Sequence, residues 1–137
     1  MKKIIHLILI SGLIISCNKN TNLELDSGIF RGVYYRLDNG KDTVYQGVAN
    51  LAISEDNNTF TLVPDVSSSA PLNCYGRYFI KDVDSILFIN DAYLNEFFYD
   101  DLLILDTIMK FSQIGEELTL EFTRDDTIFY EYVLVRR

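Results

Sequence analysis

The chain has 137 residues, 20 acidic against 12 basic, and a formal net charge of −8. That is the length of one domain. The acidic balance argues against nucleic acid, whose phosphates require lysine and arginine contacts.

Lys2 and Lys3 form a short positive stretch. Ile4 to Ile15 follows as an apolar run of about a dozen residues, broken only by His6, Ser11 and Gly12. A spanning helix needs roughly 20, so residues 1–16 are read as a secretory signal peptide rather than a transmembrane helix. Small Ser16 precedes Cys17, and the polar stretch Asn18-Lys19-Asn20-Thr21-Asn22 follows at once. Leu13-Ile14-Ile15-Ser16-Cys17 resembles the lipobox of bacterial lipoproteins, which implies that the Cys17 thiol is acylated with diacylglycerol and becomes the first residue of the mature protein. Two acyl chains give stable anchoring where one gives marginal binding. The expected partner of this end is therefore a membrane, reached through N-terminal acyl chains. The expected location is the bacterial cell envelope, on the outer membrane.

Removing the signal leaves 10 basic against 20 acidic residues and no histidine, because His6 leaves with it. Without imidazole there is no Ser-His-Asp or Cys-His relay and no histidine zinc site. Cys74 remains as the one cysteine besides Cys17, so the fold does not rely on an internal disulfide. With Arg77 as its closest basic residue in sequence, Cys74 is expected to be a buried small hydrophobe rather than a nucleophile.

Residues 17–27 read as a lipidated tether. From Gly28 the chain alternates with period two and is rich in β-branched and aromatic residues between turn signals, the pattern of antiparallel strands. The first is expected over Ile29 to Leu37, followed by an Asn39-Gly40 hairpin. The second runs from Thr43 to Ser54, with Gly47 and Ala49 suited to a barrel bend. Glu55-Asp56-Asn57-Asn58 turns into a third over Thr59 to Val63. Residues 64–71 form a loop. Two more strands, Cys74 to Lys81 and Ser85 to Asn90, are joined by Asp82-Val83-Asp84. Residues 91–101 lose the alternation and read as a loop or helical turn. A sixth strand is expected from about Leu103 to Gln113. Beyond the turn at Gly115, Leu118, Leu120 and Phe122 alternate with polar residues. After Arg124-Asp125-Asp126, a last strand carries apolar residues on both faces.

The expectation is an all-β domain over residues 28–137, an eight-stranded antiparallel up-and-down, lipocalin-like barrel after the N-terminal signal peptide. An open sandwich is the alternative. Eight strands make an interior that side chains fill or that holds one small ligand, and closure removes exposed edges. A membrane-spanning barrel is disfavoured by short turns and by polar outward residues such as Glu117, Thr119 and Glu121.

Gly28-Ile29-Phe30-Arg31-Gly32, Gly76-Arg77-Tyr78-Phe79-Ile80, Ile86-Leu87-Phe88, Leu103-Ile104-Leu105, Leu118-Thr119-Leu120 and Tyr130-Glu131-Tyr132-Val133-Leu134 together resemble, in order and spacing, small lipoproteins of Bacteroidetes-type bacteria with lipocalin-like barrels. The resemblance implies fold and envelope location, but no reaction. The chain departs from that group in lacking tryptophans ahead of the sixth strand and in having Asp106-Thr107 where a glycine is expected.

Tyr93, Phe97, Phe98 and Tyr99 lie within seven residues of the least regular connection. They are the candidate contact for a small amphipathic ligand or an envelope protein, or else core residues plugging the barrel. Tyr34, Tyr45, Tyr75, Tyr78, Tyr130 and Tyr132 would line a cavity with hydroxyl handles if they face inward, or simply pack the core. Asp82 and Asp84, Asp100, Asp101 and Asp106, and Glu116 and Glu117 are paired acids without the alternating spacing of a calcium loop. They read as turn chemistry, and no metal or other cofactor is expected. The reading is a non-catalytic, lipid-anchored binding module. The alternative is a structural, inhibitor or immunity-type envelope lipoprotein acting through a protein–protein contact.

Overall fold

The computed structural model describes residues 25–38, 42–65, 73–92, 105–124 and 126–137, with 42–45 as backbone alone. Eight strands follow in chain order: β1 (Gly28–Asp38), β2 (Asp42–Ser54), β3 (Thr59–Pro64), β4 (Cys74–Asp82), β5 (Ser85–Asn90), β6 (Ile108–Ile114), β7 (Glu117–Arg124) and β8 (Ile128–Arg136). Each pairs antiparallel with its neighbour, and β8 returns to β1 from Phe30–Arg136 to Asp38–Ile128. The sheet is a closed up-and-down barrel of lipocalin-like form, not an open sandwich.

Period-two alternation does the sorting. Phe30, Tyr34, Leu51, Ile53, Phe60, Leu62, Cys74, Tyr78, Ile86, Phe88, Met109, Phe111, Leu118, Leu120, Tyr130, Tyr132 and Leu134 are buried inside. Neighbours such as Gln46, Thr61, Arg77, Lys110 and Ser112 face water. On the last strand, where both faces looked apolar, Val133 is half-buried against its register partners Val33 and Thr119 while Val135 is exposed. Phe60 and Phe88 meet edge-on with centroids 5.0 Å apart, and Tyr34 and Tyr132 tilt together at 4.9 Å. These contacts fill the waist of the tube with side chains.

Turn chemistry follows the sequence. Asn58 has φ +52° and donates its N–H to Glu55 O at 3.2 Å; Asp126 has φ +57°, and Thr127 N donates to Arg124 O at 3.1 Å. Asn and Asp tolerate that left-handed backbone. Gly115, at φ +61°, opens the two-residue β6–β7 loop at the position that type II′ turns reserve for glycine.

Two sequence expectations need correction. The sixth strand begins at Ile108 rather than near Leu103. Leu103 lies outside the described residues, and Leu105, at 1% exposure, turns into the core instead of extending a strand. Thr107 O accepts from Phe88 N, and the Asp106 carboxylate accepts from Asn90 N, so this bend serves the end of β5 in place of a longer β6. The tether also ends earlier than expected. Leu25 is 2% exposed within the core, and residues 25–27 belong to the barrel.

Those residues seal one end. Asp26 N donates to Gln113 Oε1, the Gln113 amide returns a bond to the Asp26 carboxylate at 3.0 Å, and Arg136 pairs with that carboxylate at 2.7 Å. Ser27 Oγ accepts from Glu55 N. This plugged end carries the β2–β3, β4–β5 and β6–β7 turns. The opposite, loop end carries the β1–β2, β3–β4, β5–β6 and β7–β8 connections.

Strand pairing brings backbones close at two glycines, Gly32 where β8 closes on β1 and Gly76 in the β4–β5 hairpin. A Cβ on Gly32 would lie 1.9 Å from Val133 O, and one on Gly76 would lie 1.9 Å from Ile89 O. At Gly28 the nearest atom is the movable Arg136 Nε at 3.2 Å. Gly32→Ala and Gly76→Ala are therefore expected to lower stability in urea denaturation by about 1–3 kcal/mol or more, with Gly28→Ala close to the parent protein.

Candidate functional site

β1 carries Phe30, Gly32, Tyr34, Arg36 and Asp38 on one parity, so the inward row that starts apolar ends in a charged pair at the loop end. Arg36 Nε donates to Asp38 Oδ1 at 3.2 Å, with the arginine side chain 14% exposed. Its guanidinium lies 5.8 Å from the Tyr130 ring centroid, within cation–π range. Tyr130 stacks with Tyr34 at 6.4 Å and packs against Phe122 at 6.0 Å. The buried Tyr34 and Tyr130 rings thus meet an ion pair at this end.

Tyr34, Tyr78, Tyr130 and Tyr132 face inward at 0–3% exposure and pack the core, whereas Tyr75 is 54% exposed on the outer face. The Tyr45 side chain lies outside the described residues, as do Cys17, Tyr93, Phe97, Phe98 and Tyr99. Arg36 and Asp38 were missed in the sequence. Their signal was their parity with Phe30 and Tyr34.

Cys74 is fully buried at the start of β4. Burial, opposed by a backbone hydrogen bond with Leu105 and reinforced by the charge of Asp106, raises its thiol from the ordinary 9.0 to about 11. It is a protonated core group at neutral pH. Burial, reinforced by Tyr34 and Cys74, likewise holds the Tyr132 phenol well above its usual range.

The outer face carries a second arrangement. Phe79 pairs in register with Leu87, and Leu87 with Ile108, forming an apolar row across β4, β5 and β6. Phe79 is 42% and Ile108 54% exposed. Beside the row, two adjoining grooves of about 370 and 440 Å³ share Lys110 and Glu121. Lys110 pairs in register with Glu121, and Glu121 with Glu131. Burial first, then the charge of Glu121, raises the Glu131 carboxyl above its usual value.

Among the described residues, no group of three or more histidine, cysteine or acidic side chains is placed to hold a metal ion. Comparison with protein-family models, curated proteins and solved structures returned no match.

The shifts translate into pH effects. A folded-state pKa above the unfolded one means that the folded chain holds its proton longer, so stability falls as pH rises through that window. For Cys74 the window is from 9.0 to about 11. Unfolding free energy is expected to decline across it, and the thiol should resist iodoacetamide in the native protein at pH 8 and react fully in urea. For Glu131 the loss begins near the ordinary 4.5 and proceeds as pH rises through the raised folded-state value. Glu131→Gln is accordingly expected to raise the urea midpoint at pH 7, with the gain gone below about pH 4.

Proposed function

We propose that this protein is a lipid-anchored, non-catalytic binding module of the bacterial envelope, held on the outer membrane through Cys17, whose loop end takes a small amphipathic ligand. The observation that carries the ligand reading is the inward-facing Arg36–Asp38 pair set against the Tyr130, Tyr34 and Phe122 rings. A tube of uniform apolar lining would bind any greasy molecule. A half-buried guanidinium at its rim would select one with an acceptor head. The anchor reading is supported by the Ser16-Cys17 motif and the short apolar run before it.

A second reading is a structural, inhibitor or immunity-type lipoprotein that holds an envelope protein. It is favoured by the exposed Phe79–Leu87–Ile108 row beside the outer grooves, since exposed apolar surface set together marks contact sites.

Native mass spectrometry of the acylated protein after exposure to an envelope extract separates the two readings. The expected result is a discrete small-molecule adduct that disappears on unfolding and is weakened about tenfold or more by Arg36→Leu. A protein without adduct would remove the ligand reading. Loss of envelope-protein capture in Phe79→Ser/Ile108→Ser would then carry the second.

A further inference from the structure

We infer that the plugged end of the barrel rests on a zwitterionic lipid surface, with the β4–β5 and β6–β7 hairpin tips dipping into it through Val83 and Ile114, so that the loop end faces away from the membrane. The inference rests on the lipid-anchor reading of Cys17 and adds to it a surface and an orientation.

The chain enters the barrel at the plugged end, because Leu25 is buried there and Asp26 is clasped by Gln113 and Arg136. Eight residue steps separate Leu25 from Cys17. Fully extended they span at most about 26–29 Å, so the plugged end is the part of the barrel held beside the bilayer.

At that same end stand the two most exposed large hydrophobic residues among those described, Ile114 at 78% and Val83 at 72%. Neither is required by its turn. Gly115 supplies the positive φ beside Ile114, and Asp82 and Asp84 supply the polar turn chemistry on either side of Val83. Neither side chain packs in the core. Their hairpins are neighbours, tied by Phe111 N donating to Asp84 O at 2.7 Å. Ile29 and Val135, at 56% and 46% exposure, lie on adjoining strands toward the same end. A single exposed aliphatic needs no explanation. Two on adjacent tips, at the end where the anchor arrives, form a surface that meets lipid each time the tether folds back.

Charge selects the kind of lipid. Asp82, Asp84, Glu116 and Glu117 flank the tips and Glu55 and Asp56 share the end, while the exposed Lys81 and Arg137 there offset only two of these charges. An anionic bilayer repels such a rim over a Debye length of about 8–10 Å. A zwitterionic bilayer does not, and its outermost ammonium groups complement the carboxylates.

The test uses the acylated full chain on phosphatidylcholine vesicles. A nitrobenzoxadiazole fluorophore is placed on Val83→Cys, on Ile114→Cys, on Asn57→Cys, which leaves both tips intact at the plugged end, and on Thr127→Cys at the loop end. Cys17 is blocked by its lipid and Cys74 by burial. The expected result is a blue-shifted emission, quenched by nitroxide-labelled lipid, at 83 and 114. The label at 57 should be quenched more weakly, and the label at 127 should stay in water. Val83→Ser/Ile114→Ser should release the label at 57, as should vesicles rich in phosphatidylglycerol at low salt. A chain that is acylated and vesicle-bound, with all four labels equally in water, overturns this inference and leaves the anchor standing. A chain that carries no diacylglycerol by mass and does not float with vesicles overturns both.

Discussion

The register between β1 and β8, running from Phe30–Arg136 to Asp38–Ile128, converts a strip of eight strands into a tube, and the other features depend on it. A strip of this width would expose two rows of unpaired backbone groups and one whole apolar face. Once it is closed, every strand has two neighbours, and alternation acquires an absolute meaning, with one parity dry and the other wet. Closure also forces the backbones together at Gly32, where the Val133 carbonyl leaves no room for a side chain. The alanine-sized gap that another residue would need there is absent because the tube is narrow, and for the same reason its waist is solid with aromatic rings.

The barrel was legible because alternation and turn chemistry agree along most of the chain. Leu118 and Leu120 face in while Thr119 and Glu121 do not. Asn58 and Asp126 hold the left-handed turn positions, and the strand limits fall within a few residues of those expected. Legibility failed at the start of the sixth strand, where Leu105 packs into the core while Asp106 and Thr107 satisfy the end of β5. It failed again where partners lie far apart in sequence. Asp26 reads as a tether residue until folding brings Gln113 and Arg136 to it from 87 and 110 positions away, and no local pattern encodes that clasp. The acids were readable as turn residues, but the facing of Glu121 and Glu131 follows from register alone. The aromatic cluster that the sequence favoured as a contact lies outside the described residues, whereas Arg36, which carries the ligand reading, was visible only through its parity.

The two arginines on the inner parity show how the same residue type serves opposite tasks at the two ends. Arg136 lies over the Phe30 ring at 5.4 Å and pairs with Asp26; Arg36 lies over Tyr130 at 5.8 Å and pairs with Asp38. In each case a planar, weakly hydrated cation covers an aromatic face that the barrel's end would otherwise leave wet. The difference lies in the acid. Asp26 belongs to a segment that crosses the barrel's end and is itself held by Gln113, so Arg136 closes a structure. Asp38 is two residues from Arg36 on the same strand, so this pair is local. Such a local pair in a rim position contributes little to stability.

Cys74 is buried with its thiol raised to about 11, and the described acids are spread over turns and the outer face. Two features then divide the work by position. Apolar residues on turns and outer strands do not help the fold, since burial of the inner parity already supplies the hydrophobic driving force. They lower solubility in a chain whose net charge is otherwise arranged to raise it. Val83 and Ile114 stand at the end where the chain arrives from Cys17, and the Phe79–Leu87–Ile108 row stands along the flank. Under the proposed acylation of Cys17 the barrel would stay within a few tens of ångströms of a bilayer, at an effective lipid concentration that free solution never offers. Under that constraint two exposed aliphatic side chains would bias which way the tube points, and the inferred direction would leave the Arg36 rim turned toward the aqueous side.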